Sequence, residues 1–177
     1  MAPSENLSST KTRAVDLRLR AYGIAAAVFA LDRFTKWLIE TRVSFTDTYH
    51  VIPGFFDIVR SENRGVAFGI FNDSPSQWRG ILLVTLSLAA VLAVGFVLRK
   101  AQQMDGASLW AFSLIMGGAA GNVFDRIVRG RVTDFLELYA GAYHWPTFNV
   151  ADSAIVIASG LLVIDLMRPK RKAVNVP

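Results

Sequence analysis

The chain has 177 residues, 53% of them hydrophobic, with 19 lysines and arginines against 14 acids and a formal net charge of +5. It contains no cysteine, which excludes disulfides, thiol nucleophiles and cysteine metal sites. The basic residues sit at the ends of apolar runs and form no stripe, so the positive charge fits a membrane surface and not nucleic acid.

The first segment, 1–21, is polar and basic. It has the composition of a signal-peptide n-region, but the apolar run behind it carries Asp32, Arg33 and Lys36 and no small-residue cleavage site. That run therefore reads as a retained helix. A bilayer core of ~30 Å takes about 20 mostly apolar residues. Four segments meet this: 22–39, the charge-free 81–98, the short and small-residue-rich 108–124, and 150–167. The expected fold is an all-α membrane protein, a single four-helix unit over 22–168, with a basic tail from 169 to 177.

Basic residues assign the orientation. Lys11, Arg13, Arg18 and Arg20 precede the first span, Arg99 and Lys100 follow the second, and Arg168, Lys170, Arg171 and Lys172 follow the fourth. Four spans put all three groups on one side, so both termini are expected in the cytoplasm and the loops 40–80 and 125–149 outside. The first outer loop alternates aromatic and β-branched residues in TYHVIPGFFDIVR, which predicts a small extracytoplasmic β-rich cradle. Trp37, Trp78, Trp110 and Trp145 lie near span ends, as interfacial anchors do.

Charges in a span cost about 2.5–3.5 kcal/mol each at the centre on insertion scales, so each needs a reason. Asp32 and Lys36 are four apart and share a helix face, which predicts an internal ion pair that orients the first helix. The run Gly117, Gly118, Ala119, Ala120, Gly121 predicts close helix packing. Asn122 and Asp125, three apart, share a face, and Asp125 with Arg126 suggests a network at a helix end. Pro146 and Asn149 mark a helix start, which puts Asp152 in the first turn, where a carboxylate also serves as a capping acid.

Asp134 and Asp152 are both expected at the outer membrane boundary. Two close carboxylates repel, so one pKa rises and the pair can share a proton. The ionised member can then activate water while the protonated member polarises a carbonyl and later protonates the leaving amine. Such a dyad needs no metal or cofactor. The histidines offer no alternative: His50 and His144 lack the spacing of a zinc motif, and no G-x-S-x-G elbow accompanies them.

Four blocks, LDRFTKW, ENRGVAFGIF, GGAAGNVFDRIVRGRVTDFLEL and FNVADSAI, resemble in order and approximate spacing those of the lipoprotein signal peptidases, or signal peptidase II. The resemblance spans roughly 22–167, and the last two blocks together are highly specific. It implies a four-helix inner-membrane aspartic protease. Such enzymes cut the signal peptide from a prolipoprotein just before a cysteine that bears diacylglyceryl. The family's catalytic aspartates fall on Asp134 and Asp152. Its asparagine and arginine positions fall on Asn63, Asn122, Arg126 and Asn149, which are expected to orient the dyad or hold the substrate. Asp32, Lys36, Gly65 and Asp125 match positions with supporting roles. The implied partners are diacylglyceryl prolipoproteins, membrane lipids and the cyclic peptide globomycin, with a monomer as the working unit. Two departures stand out: Arg33 occupies a place where glutamine is more usual, and the segment before Val15 is long. A small proton-linked transporter using Asp32, Lys36, Asp125 and Asp152 is the alternative, disfavoured by the lack of an internal repeat. A membrane scaffold would leave the two interfacial acids unexplained.

Overall fold

A computed structural model describes residues 16–63 and 77–167. Gly65 and the basic residues at 11, 13 and 168–172 lie outside the described residues. The order of elements is α1 (Leu17–Arg42), β1 (Thr48–Ile52), β2 (Phe56–Asn63), α2 (Gln77–Leu98), α3 (Gly106–Arg129), β3 (Val132–Ala140), β4 (Tyr143–His144) and α4 (Val150–Met167).

Local chemistry explains most helix ends. Asp16 caps α1 by accepting the Arg18 backbone N–H at 3.0 Å, and Asp105 caps α3 by accepting that of Ser108 at 2.8 Å. Gly130, at φ +69°, ends α3 in the left-handed conformation that glycine adopts without strain. In α1 the buried residues are Ala21, Ala25, Asp32, Lys36 and Ile39, a single stripe at helical spacing, while Leu31, Phe34 and Trp37 are exposed. α2 carries no charge from Ile81 to Leu98, and of that stretch only Leu98 is fully buried inside the protein.

α3 is the hub and packs against α1, α2 and α4. The small-residue run makes this possible. A Cβ added at Gly117 would lie 2.5 Å from the Ala25 carbonyl oxygen on α1, and one at Gly118 would lie 2.5 Å from the Ala151 carbonyl oxygen on α4. One on Gly121 would collide with the Asp32 carboxylate. Two helices thus approach α3 at backbone distance.

The fold is mostly helical with a small antiparallel sheet. Among the described residues, three helices, over Ile81–Leu98, Gly106–Arg129 and Val150–Met167, are long and apolar enough to cross a membrane. α1 has 26 residues, ample length, but its charges keep it outside that set. The sheet runs β1-β2-β3-β4, with Ser61 opposite Asp134 in the β2–β3 register. Gly54, at φ +83°, turns β1 into β2.

The two ends of the bundle differ. At one end Ala21, Leu98, Ala101 and Leu109 join the start of α1, the end of α2 and the start of α3. Ser108 also reaches Asp165 near the end of α4 at 3.4 Å. At the other end Ile39, Val43 and Phe135 pack with Ile58, Leu136 and Val150, which seats the sheet on α1 and on the start of α4.

The structure corrects two sequence expectations. α3 continues past Phe124 to Arg129, so Asp125 and Arg126 are helical and not in a loop, because Asp125 finds cationic partners on α1. The segment 125–149 is likewise not a plain loop: it contains β3, the inner strand whose Phe135 and Asp134 are both buried.

Candidate active site

The site starts from a buried charge network on α1. Asp32, Lys36 and Asp125 are each fully buried. Lys36 Nζ donates to Asp32 Oδ2 at 2.8 Å and lies 2.8 Å from Asp125 Oδ2, and Arg33 forms the second ion pair of Asp125. Two cations thus meet two carboxylates, the condition under which buried charge is tolerated. The Arg33 guanidinium also lies 5.1 Å from the centre of the Phe124 ring. The sequence expectation of an Asp32–Lys36 pair is met, and Asp125 shares Lys36 with Asn122 as their common helix face requires.

This network reaches the two acids of interest. Lys36 Nζ donates to Asn122 Oδ1 at 2.9 Å, and Asn122 Nδ2 donates to Asp152 Oδ1 at 2.7 Å. Asp32 Oδ1 accepts the Ala151 backbone N–H at 3.0 Å, so a carboxylate from α1 takes up an unpaired donor in the first turn of α4.

Asn149 is the keystone. Its Oδ1 accepts the Asp152 N–H at 3.0 Å, while Asp152 Oδ2 accepts the Asn149 N–H at 3.3 Å. This reciprocal exchange is a capping box and starts α4. The Asn149 Nδ2 donates to Asp134 Oδ1 at 2.7 Å and to Asn122 Oδ1 at 3.3 Å. One amide therefore contacts the carboxylate of Asp134 while its carbonyl fixes the turn that carries Asp152. The capping role of Asp152 is real, and it coexists with a place in the site.

Asp134 is 3% exposed on β3, and its carboxyl is pushed up to about 6. Burial is the main cause and the nearby charge of Asp152 the second. Hydrogen bonds from Asn149 and Asn63 and the charge of Lys36 oppose the rise. A carboxyl in this range can hold or release a proton near neutrality.

A groove of about 760 Å³ opens over both acids. Asn63, Asn122, Arg126, Asp134 and Asp152 are among its polar lining residues, with Glu62 also at the wall, and Trp145, Phe148, Ile155 and Val156 are among its apolar walls. Arg126 also donates to the Asn122 carbonyl at 3.3 Å. The expected site residues therefore divide in two. Asn63, Asn122, Arg126, Asp134, Asn149 and Asp152 come together around the groove, while Asp32, Lys36 and Asp125 form the buried layer beneath it.

Sequence reasoning missed a second supporting layer. Arg129 pairs with Glu40, and Thr133 donates to the same Glu40 carboxylate at 2.7 Å, which ties α1, α3 and β3 together. Arg60 donates to the carbonyls of Glu40 and Val43 at 2.8 and 3.2 Å, closing the C-terminal end of α1. Ser61 was also missed and lines the groove opposite Asp134. Each of these contacts joins residues at least 17 apart in sequence, and no local pattern announces them.

Comparison with known proteins agrees with this architecture. The profile of the signal peptidase (SPase) II family, peptidase family A8, matches residues 24–168. The lipoprotein signal peptidase of Solibacter usitatus is 69% identical over 161 residues, covering 91% of this chain and 98% of that protein. That of Nitratidesulfovibrio vulgaris is 44% identical over 146 residues, covering 82% and 88%. A bacterial membrane enzyme solved by the in meso method superposes with a TM-score of 0.77 at 30% identity, covering 89% of this chain and 94% of that one. A second, solved by the same method, gives 0.74 at 27% identity, covering 85% and 94%. A profile match over most of the chain, relatives this similar along nearly their full length and a shared fold lead to one conclusion: the chain belongs to the signal peptidase II family and is a lipoprotein signal peptidase, an aspartic protease of the membrane.

Proposed function

We propose that Asp134 and Asp152 are the catalytic dyad of this peptidase and that they cleave diacylglyceryl-modified prolipoproteins just before the lipidated cysteine. The observation that carries the reading is the Asn149 bridge: its amide donates to Asp134 at 2.7 Å while its carbonyl accepts the Asp152 N–H at 3.0 Å, beside one groove.

The chemistry follows from a dyad that shares one proton. The ionised carboxylate takes a proton from water as its oxygen attacks the scissile carbonyl carbon. The protonated carboxyl polarises that carbonyl. The tetrahedral intermediate then loses the amine of the cysteine, which receives a proton from the dyad, and the signal peptide leaves as a carboxylate. The proton belongs to the pair, so neither residue has a fixed acid or base role. Asn63 and Asn149 orient Asp134, and Asn122 orients Asp152. Arg126, which lines the groove, is assigned to holding the substrate segment. The apolar groove wall continues onto exposed residues of α4, Val156 at 70% and Ile157 at 58%, which lets a lipid-bearing substrate enter from the side. The same groove is the assigned seat of globomycin.

In this reading α1 is the fourth span. Its length supports this, as do its internally paired charges and its exposed apolar face of Leu31, Phe34 and Trp37. Both termini are then cytoplasmic, because Arg18, Arg20, Arg99 and Lys100 cluster at the end away from the sheet, and the dyad faces outward in the inner membrane. One chain supplies both acids, so a monomer suffices. The transporter alternative loses its relay, since Asp32 and Asp125 are already matched by Lys36 and Arg33.

The test is a gel-shift assay on a purified diacylglyceryl prolipoprotein. Wild type should cleave it. Asp134→Asn and Asp152→Asn should each be inserted and folded yet inactive. Near-normal turnover by either variant would refute the dyad.

A further inference from the structure

At the end of the bundle farthest from the groove, a second cavity of about 490 Å³ is lined by Arg18 and Tyr22 of α1, Phe96 of α2, and Arg99 and Lys100 just beyond α2. We propose that this cavity binds the phosphate headgroup of an anionic phospholipid.

Cations after the C-terminal end of α2 are unremarkable alone, since the last carbonyls of a helix and the orientation of a span both favour them. The distinguishing feature is convergence. Arg18 comes from a different helix, and the three cations meet in one concavity that no carboxylate lines among the described residues. Among the described residues none of the three has an ion-pair partner. Of the acids described at this end, Asp16 accepts from the Arg18 backbone N–H and from Gln102 Nε2 at 2.9 Å, Asp105 caps α3, and Asp165 accepts from Ser108; none of the three lines the cavity. Among the described residues, therefore, no carboxylate lies within ion-pairing distance of these cations.

The depth is right for a headgroup. Arg18 and Lys36 are both on α1, and eighteen helical steps place them about 27 Å apart along the axis. Lys36 touches the layer that holds the dyad, so the cavity lies about one hydrocarbon thickness, ~30 Å, from the groove, at the opposite interface. Below the cations the walls turn aromatic and apolar: Tyr22 is 39% and Phe96 63% exposed, and Leu92 on the same helix is exposed as well. Arg99 stacks 5.4 Å from the Phe96 ring centre. Cationic rim over apolar wall matches phosphate over acyl chain, and basic pockets between membrane helices bind such headgroups.

The test is native mass spectrometry of the purified full chain in detergent, titrated with phosphatidylglycerol, phosphatidylcholine or glycerol phosphate. Wild type should retain one phosphatidylglycerol in preference to phosphatidylcholine. Each cation contributes about fivefold, so Arg18→Gln/Arg99→Gln/Lys100→Gln should lose on the order of a hundredfold in retention, and Arg99→Gln alone about fivefold. Cleavage activity at the opposite interface, measured on the same preparations, should stay at the wild-type level and certifies the fold. If the triple variant does not fold, Arg99→Gln carries the test alone. Equal retention of the two lipids by wild type, unchanged preference in an active variant, or binding of glycerol phosphate as tight as that of the lipid would each overturn the proposal.

Discussion

Asn149→Ser separates the two tasks of the residue at the centre of the site. Asn149 Oδ1 caps α4 through the Asp152 N–H, and Nδ2 donates to Asp134 at 2.7 Å. Serine caps helices about as well as asparagine, but it is too short to keep the second contact as well. A hydrogen bond to an ionised group is worth about 1.5–3 kcal/mol, and one pH unit corresponds to about 1.36 kcal/mol. Losing a donor that favours the ionised form should therefore raise the carboxyl by about one to two units, from about 6 to about 7–8. An aspartic dyad loses activity as its shared proton departs, so the alkaline limb of kcat/KM should move to higher pH by that amount. The assay is cleavage of a lipidated propeptide in micelles across pH 5–10, with a thermal melt of each variant. Asn149→Ala adds the loss of the cap, about 1 kcal/mol, and should melt lower than Asn149→Ser. An alkaline limb that stays in place for both variants, with only the melting temperature changed, would show that Asn149 is a cap and nothing more.

Burial raises Asp134 from 3.8 to about 6, so the folded state holds this proton more tightly than the unfolded state does. That stabilising contribution is present below pH 4 and lost as pH rises through about 6, on the order of 3 kcal/mol in all. Asp134→Asn should then melt above wild type at pH 7.5 and level with it at pH 4; an equal or lower melt at pH 7.5 contradicts this. Lys36→Met leaves Asp32 without its cation and should cost about 3–5 kcal/mol, part of which Lys36→Met/Asp32→Asn recovers. Equal melting of the single and double variants would remove the coupling. Gly121→Ala drives a methyl into the Asp32 carboxylate and should cost about 1–3 kcal/mol, whereas Gly160→Ala, with open space around it, should stay within ~1 kcal/mol of wild type. Melts in detergent distinguish them.

The helices were legible because lipid exposure writes itself as uninterrupted apolar sequence, as over Ile81–Leu98. The start of α4 was legible from Asn149 and Asp152, whose spacing is that of a capping exchange. The end of α3 was not, because Asp125 and Arg126 look like the edge of a membrane segment until Arg33 and Lys36 are seen across from Asp125. β3 was hidden for a related reason. As an inner strand it has buried residues on both faces, Val132 and Asp134 on one and Thr133 and Phe135 on the other, so the alternation that reveals a half-exposed strand is absent. Asp134 and Asp152 were singled out through the matching blocks. Their shared contact with Asn149 is a tertiary fact that spacing does not encode.

The first turn of α4 has a consequence for the order in which the enzyme is made. Its capping partner Asn149 lies in the same turn, but Asp32 on α1 and Asn122 on α3 also hold it. Synthesis runs from the N-terminus, so a nascent chain owns Asp32, Asn122 and Asp134 well before Asp152 exists. The proposed dyad is therefore incomplete until α4 has been made, and the side chains that hold the first turn of α4 come from helices that precede it in the chain. With the proposed dyad, proteolytic competence waits on the docking of α4 against α1 and α3.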